Sequence, residues 1–241
     1  MPSASDGIVE HEPGDLTCVA GAGMRLGALQ EALRRHGQRL SLDPPGDPTL
    51  EECVLEDLSG PLRHRFGTMR DLVIGITVTL PDGTRASAGG KVVKNVAGYD
   101  LGKLFCGSRG RLGRVEQLAL RLHPLPAASR SLTTGAARWP ELHRSGLVPS
   151  AVDIAGEAMH VLFEGAPRAV DAQASALGGD ESDPWNDVRA LQARLRGRRG
   201  WDGGVAPLVR PGPRIAYVEE PSHEPWSALA ERVVEALCSP S

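Results

Sequence analysis

Two glycine-rich stretches hold the residue types best suited to chemistry. The first, VAGAGMRLG, sets Gly21, Gly23 and Gly27 between an apolar run and an amphipathic one, with Asp43 closing the next apolar segment. Main-chain amides at such a helix start attract a phosphate, and a carboxylate after the following strand can take a ribose hydroxyl. A nucleotide-binding Rossmann unit would continue strand, helix, strand. Here Pro44-Pro45-Gly46-Asp47-Pro48 follows Asp43, and hairpin signals come next. The spacing therefore reads as a tight strand-to-helix turn.

The second stretch is GGKVVKNVAGYDLGKLFCGSRGRLG, residues 89–113. Its glycines, Gly89-Gly90 and then Gly107, Gly110 and Gly113, let a chain double back with amides exposed, which suits a phosphate or a flavin edge. Lys94 and Asn95 add a charge and a bidentate amide. The chain's lysines, Lys91, Lys94 and Lys103, all fall here.

Other chemistry is thinly supplied. His64, within Arg63-His64-Arg65, is the histidine best placed for acid–base work; the others lack a partner at catalytic spacing. No G-x-S-x-G, H-E-x-x-H or paired-carboxylate pattern occurs, so no side chain is assigned a catalytic role. Cys18, Cys53, Cys106 and Cys238 are too scattered for a zinc or iron–sulfur site and read as small buried hydrophobes. No metal ligand is assigned.

The elements that must position these residues are short. In 241 residues there are 29 glycines and 19 prolines, with 4% aromatic content, which describes brief elements joined by many turns. A net charge of −3, evenly spread and without a basic stripe, disfavours nucleic-acid binding. No apolar run is long enough to span a membrane, and the acidic start lacks a secretory signal, so a cytoplasmic location is expected.

A strand is predicted at 16–20, a helix at 25–36 closed by Gly37, a short strand in QRLSLD, and a helix at 49–58. Thr49 and Glu52 complete a capping box at that last helix. LVIGITVTL and TRASAGG flank the turn Pro81-Asp82-Gly83-Thr84 as a hairpin, and 114–122 alternates like a half-buried strand. His123-Pro124-Leu125-Pro126 marks a domain boundary, giving units 1–126 and 127–241. The second unit should be α+β: strands at 130–134, 150–155, 158–163 and 214–219, helices at 139–145, 167–177, 185–196 and 224–237, and loops at 178–184 and 197–213.

The string KNVAGYDLGKLFCGSRGRLGRVEQLALRLHPLP, with GIVEHEPGDLTCVAGAGMRLGALQEALRRHGQRLSLDPP and SGPLRHRFGTMRDLVIGITVTLPDG upstream, resembles the flavin-binding subunits of bacterial glycolate oxidase. More broadly it resembles FAD-linked oxidases of the vanillyl-alcohol oxidase type. The resemblance covers roughly 7–126 and is weaker in SAVDIAGEAMHVLFEG. It implies an α+β fold of two FAD-binding subdomains plus a smaller cap, the flavin lying between the subdomains. Cofactor-lining positions carried over by the resemblance are Pro48, Thr49, Ser59, Gly60, Gly67, Gly110 and Val115. It further implies oxidation of a small 2-hydroxy acid and partner subunits, a second flavin subunit and an iron–sulfur subunit. A flavin-free relative that only binds partners is the competing reading.

Two departures bear on the cofactor. Relatives begin with a subdomain bearing an R-G-G-G phosphate loop, and this chain starts after that point. The segment 16–45 is therefore expected to expose an apolar face. Where the family sets Gly-Gly after a Thr, this chain has Glu51-Glu52 after Thr49-Leu50. Two carboxylates oppose a pyrophosphate and lack glycine's freedom, so weak FAD binding by this chain alone is expected.

Overall fold

The computed structural model describes residues 6–90, 101–195 and 197–219. Lys94, Asn95 and the expected helix at 224–237 lie outside these residues. Strand β1 (Ile8–Glu12) pairs with β2 (Thr17–Gly21). Helix α1 (Leu26–Arg34) follows, burying Leu26, Leu29 and Leu33, the one-face spacing of an amphipathic helix. Gly37, at φ 67°, turns the chain out of it. The strand expected in QRLSLD shrinks to β3 (Gln38–Arg39), because Pro44 and Pro45 break the segment beyond.

Helix α2 (Leu50–Leu55) starts with the predicted capping box: Thr49 accepts from the Glu52 amide, and the Glu52 carboxylate accepts from the Thr49 amide. Two short helices, α3 (Arg63–Phe66) and α4 (Met69–Leu72), lead into β4 (Val73–Thr79). The hairpin to β5 (Arg85–Gly89) forms as expected. Asp82 accepts from the Thr84 amide, and Leu80 and Thr84 close the ladder. Helix α5 (Leu101–Phe105) precedes β6 (Arg114–Arg121), whose Val115, Leu118 and Leu120 point into the core. The resulting sheet is antiparallel in the order β1-β2-β6-β4-β5, which excludes a Rossmann topology.

The short β7 (His123–Pro124) pairs with β3, after which β8 (Ala128–Gly135) opens a second sheet. Helix α6 (Trp139–Arg144) is followed by β9 (Ala151–Ala155), β10 (Ala158–Gly165) and helix α7 (Pro167–Leu177). Then come β11 (Asp180–Glu181), α8 (Trp185–Arg194), β12 (Gly197–Gly200), β13 (Leu208–Arg210) and β14 (Ile215–Val218). This antiparallel sheet runs β11-β8-β10-β9-β13-β14-β12, with α7 packed on β8 and β10. The mixture is the expected α+β class.

Two expectations are corrected. The stretches 178–184 and 197–213, read as loops, contribute β11, β12 and β13. Their glycines and arginines hide strands whose pairing comes from β8, β9 and β14 rather than from local preference. The apolar face expected on 16–45 is covered: Leu26, Leu29, Leu33, Leu40 and Leu42 join one core with α2, β4 and β6. Among the described residues, the exposed large apolar side chains are Val9, Val148 and Val205. No described helix is long and apolar enough to cross a membrane.

Candidate flavin site

The loop after β2 and the loop before α2 are sewn together by main-chain bonds. Leu26 N–H donates to Pro48 O at 2.9 Å, Leu50 N–H to Met24 O at 3.0 Å, and Glu51 N–H to Ala22 O at 2.8 Å. The Gly27 amide, where a Rossmann phosphate would sit, donates to the Asp47 carboxylate at 2.7 Å. An anion is thus already supplied from within the chain, and a Cβ on Gly27 would press on that carboxylate at 3.0 Å.

Pro48, Thr49 and Val115 are brought together here. The Thr49 N–H donates to Glu52 Oε2 at 2.7 Å, and that carboxyl is held below its usual range, chiefly by this bond. Val115, at the start of β6, donates its N–H to Glu51 Oε1 at 3.0 Å. The loop carrying Gly110 runs along the far end of α2: Gly107 N–H reaches Val54 O and Arg109 N–H reaches Leu55 O, both at 2.9 Å. Gly110 has φ 75°, a backbone state that favours glycine, and a Cβ there would meet nothing closer than Leu55 at 4.0 Å.

Ser59 forms part of a second wall, with Gly60 behind it. A cleft of about 360 Å³ is lined by Pro45, Asp57, Ser59, Arg109, Arg198 and Tyr217, so Ser59 and the Gly110 loop share one space. Ser59 is buried; its hydroxyl accepts from Arg63 at 3.3 Å and its carbonyl from Gln192 at 2.8 Å. Gly60 lies so near Asp43 that a Cβ would stand 1.8 Å from the Asp43 carbonyl oxygen. Asp43, the would-be ribose ligand of the Rossmann pattern, instead accepts from the Leu62 N–H at 3.0 Å and from Arg189 at 3.4 Å. Burial pushes its carboxyl up to about 7 despite these donors. Gly67 serves the turn between α3 and α4: its φ is 81°, and a Cβ would meet the Asp71 carboxylate of the next capping box at 2.2 Å.

His64 packs against Gly212, whose missing side chain makes the room, and its Nδ1 has no partner. Burial lowers its pKa, so the ring is neutral at neutral pH. Cys18 and Cys53 are buried as expected, and burial pushes both thiols up to about 12, whereas Cys106 is only half-buried and Cys238 lies outside the described residues. Among the described residues no group of His, Cys, Asp and Glu could hold a metal ion.

Sequence reasoning missed a fully buried polar cluster beside this cleft. Arg210 pairs with Asp153 at 2.9 Å, both without exposed side-chain surface, and also donates to the Tyr217 hydroxyl and to Gln192 Oε1. Gln192 passes the connection on to Ser59. The partners are spread over residues 153–217, and no local spacing announces them.

A family model described as an FAD binding domain matches residues 2–89. Glycolate oxidase subunit GlcE of Escherichia coli strain K12 is 33% identical over 197 residues, 77% of this chain and 56% of that protein. Glycolate oxidase subunit GlcD of Bacillus subtilis strain 168 is 44% identical over 52% of this chain and 27% of its own length. The mitochondrial D-lactate dehydrogenase [cytochrome] 1 of Saccharomyces cerevisiae is 31% identical over 65% of this chain and 28% of its own. The chain thus spans about half of the first relative and just over a quarter of the others. A solved alkyldihydroxyacetonephosphate synthase shares the fold, with a TM-score of 0.60 at 16% identity over 72% of this chain and 39% of its own.

Proposed function

We propose, from the premise that this chain belongs to the FAD-linked oxidases and carries their FAD-binding domain, that it is the FAD-binding subunit of a glycolate-oxidase-like oxidoreductase acting on a small 2-hydroxy acid. The observation that carries this reading is the match to a glycolate oxidase subunit along 77% of the chain. Glycolate and D-lactate, named in the relatives, share a hydroxyl beside a carboxylate, and that grouping defines the substrate class. The flavin-free binding module is not favoured by relatives that are oxidoreductases by name.

Two of the proposed lining positions fit the cofactor. Gly110 offers a side-chain-free loop edge, and Ser59 shares a cleft with Arg109 and Arg198. The misfit is at Thr49 and Val115, whose amides already serve Glu52 and Glu51. FAD supplies the redox chemistry when bound, and the chain's part is to hold and orient it. Pro48, Thr49, Ser59, Gly60, Gly67, Gly110 and Val115 are the proposed lining, in a unit of residues 1–126, with 127–241 as the cap. The Arg210–Gln192–Ser59 connection ties cap to cleft and fixes the Ser59 wall. A second flavin subunit and an iron–sulfur subunit are the proposed partners, in the cytoplasm.

The test is anaerobic photometry of the purified protein loaded with FAD. Bleaching of the flavin absorbance by glycolate or D-lactate, and not by acetate or propionate, is expected. Loaded protein that no 2-hydroxy acid bleaches would remove the substrate assignment.

A further inference from the structure

Two amides proposed to line the cofactor are held by neighbouring carboxylates, and the two bonds differ in kind. Glu52 closes its own helix start, a local arrangement that the capping box explains completely. Glu51 has no such task. Its N–H serves Ala22 O, while its carboxylate reaches 64 residues along the chain to the Val115 amide at 3.0 Å. The register of β4 against β6 shifts between Thr77 and Val78, opposite Val115. The first core residue of β6 therefore meets a side-chain anion beside an irregular stretch of ladder.

We propose that Glu51 is an internal anion ligand that competes with the diphosphate of a flavin dinucleotide for the Val115 amide and thereby sets the affinity of this chain for its cofactor. The inference rests on the reading that the chain handles FAD. A diphosphate approaching Val115 meets a carboxylate already in place. Either Glu51 swings away and gives up its bond, or two like charges share one donor. Both routes weaken a phosphate-bearing ligand, and neither acts on a flavin that lacks phosphate.

Glu51→Gln isolates the charge. The amide oxygen of Gln still accepts from Val115, and the Thr49–Glu52 box is untouched, so the helix start is kept. Wild type and E51Q are titrated with FAD and with riboflavin by flavin fluorescence quenching, at low and at high salt. E51Q is expected to bind FAD about tenfold more tightly at low salt, as partial relief of one close like-charge contact implies. The gap narrows as salt rises, and riboflavin binding is unchanged. FAD binding by wild type that E51Q leaves unaltered, or riboflavin affinity that moves with FAD, overturns the inference and leaves the FAD reading standing. No quenching of FAD by either protein overturns both.

Discussion

Arg39 and Glu164 join the two-stranded β3–β7 ladder to the seven-stranded sheet through a two-pronged ion pair, with both N···O distances at 2.6 Å and only 14% and 8% of the side chains exposed. Arg39 sits in β3 and also stacks over Phe66 at 5.3 Å, while Glu164 is near the end of β10. Such a pair fixes the angle between the layers better than an apolar contact, because both forks must align at once. Glu164→Ala strands a nearly buried guanidinium and should cost about 3 kcal/mol of stability, read as a lower urea midpoint. An unchanged midpoint would show that the sheets are held together elsewhere.

The buried Arg210–Asp153 pair is set against the same rule from the other direction. Arg210→Met alone leaves Asp153, Tyr217 and Gln192 without their donor and is expected to cost about 4 kcal/mol. Adding Asp153→Leu should recover most of that loss, since a packed apolar pair needs no compensation. A double variant no better than the single one would show that Tyr217 and Gln192, not the charge pair, carry the cost.

Gly60 is required by a close approach rather than by its own dihedrals. A Cβ there would overlap the Asp43 carbonyl at 1.8 Å, and backbone cannot rotate away as a side chain can. Gly60→Ala should therefore destabilise by about 2 to 3 kcal/mol, as overpacking does, and should disturb the Ser59 wall of the cleft. Thermal unfolding equal to wild type would contradict the close approach.

Asp43 predicts a pH dependence with a definite sign. Its carboxyl rises from the ordinary 3.8 to about 7 on folding, so the contribution is present below 3.8 and is lost as pH climbs through 7. A fifth of the side chain stays exposed, so the loss is a fraction of about 1.4 kcal/mol per pH unit. Leu62, Arg189, Arg210 and Asp153 face the group, and Arg210 is already committed to Asp153. Asp43→Asn does not titrate. Urea midpoints at about pH 5 and about pH 8 should show wild type losing stability relative to D43N, and parallel behaviour of the two proteins would refute the shift.

What the sequence made legible was local. The Pro81–Thr84 turn could be read because Asp82 bonds its own neighbour two residues on, and the α2 start because Thr49 and Glu52 face each other across one helical turn. β12 escaped because Gly197-Arg198-Arg199-Gly200 has no alternation of its own and is drawn into a sheet by β14. Arg210 reads as a surface residue until Asp153 and Tyr217 are folded around it. Within the candidate site, the Glu51–Glu52 departure was visible in the sequence, whereas the reach of Glu51 to Val115 depended on folding β6 against α2.

Titration of the purified wild-type chain with FAD tests most directly whether the loops around α2, Ser59 and Gly110 form a flavin site. Saturable quenching of flavin fluorescence is the predicted result, weak in wild type because the Thr49 and Val115 amides are already occupied. Fluorescence that stays at the level of free FAD throughout, in wild type and in Glu51→Gln alike, would contradict it.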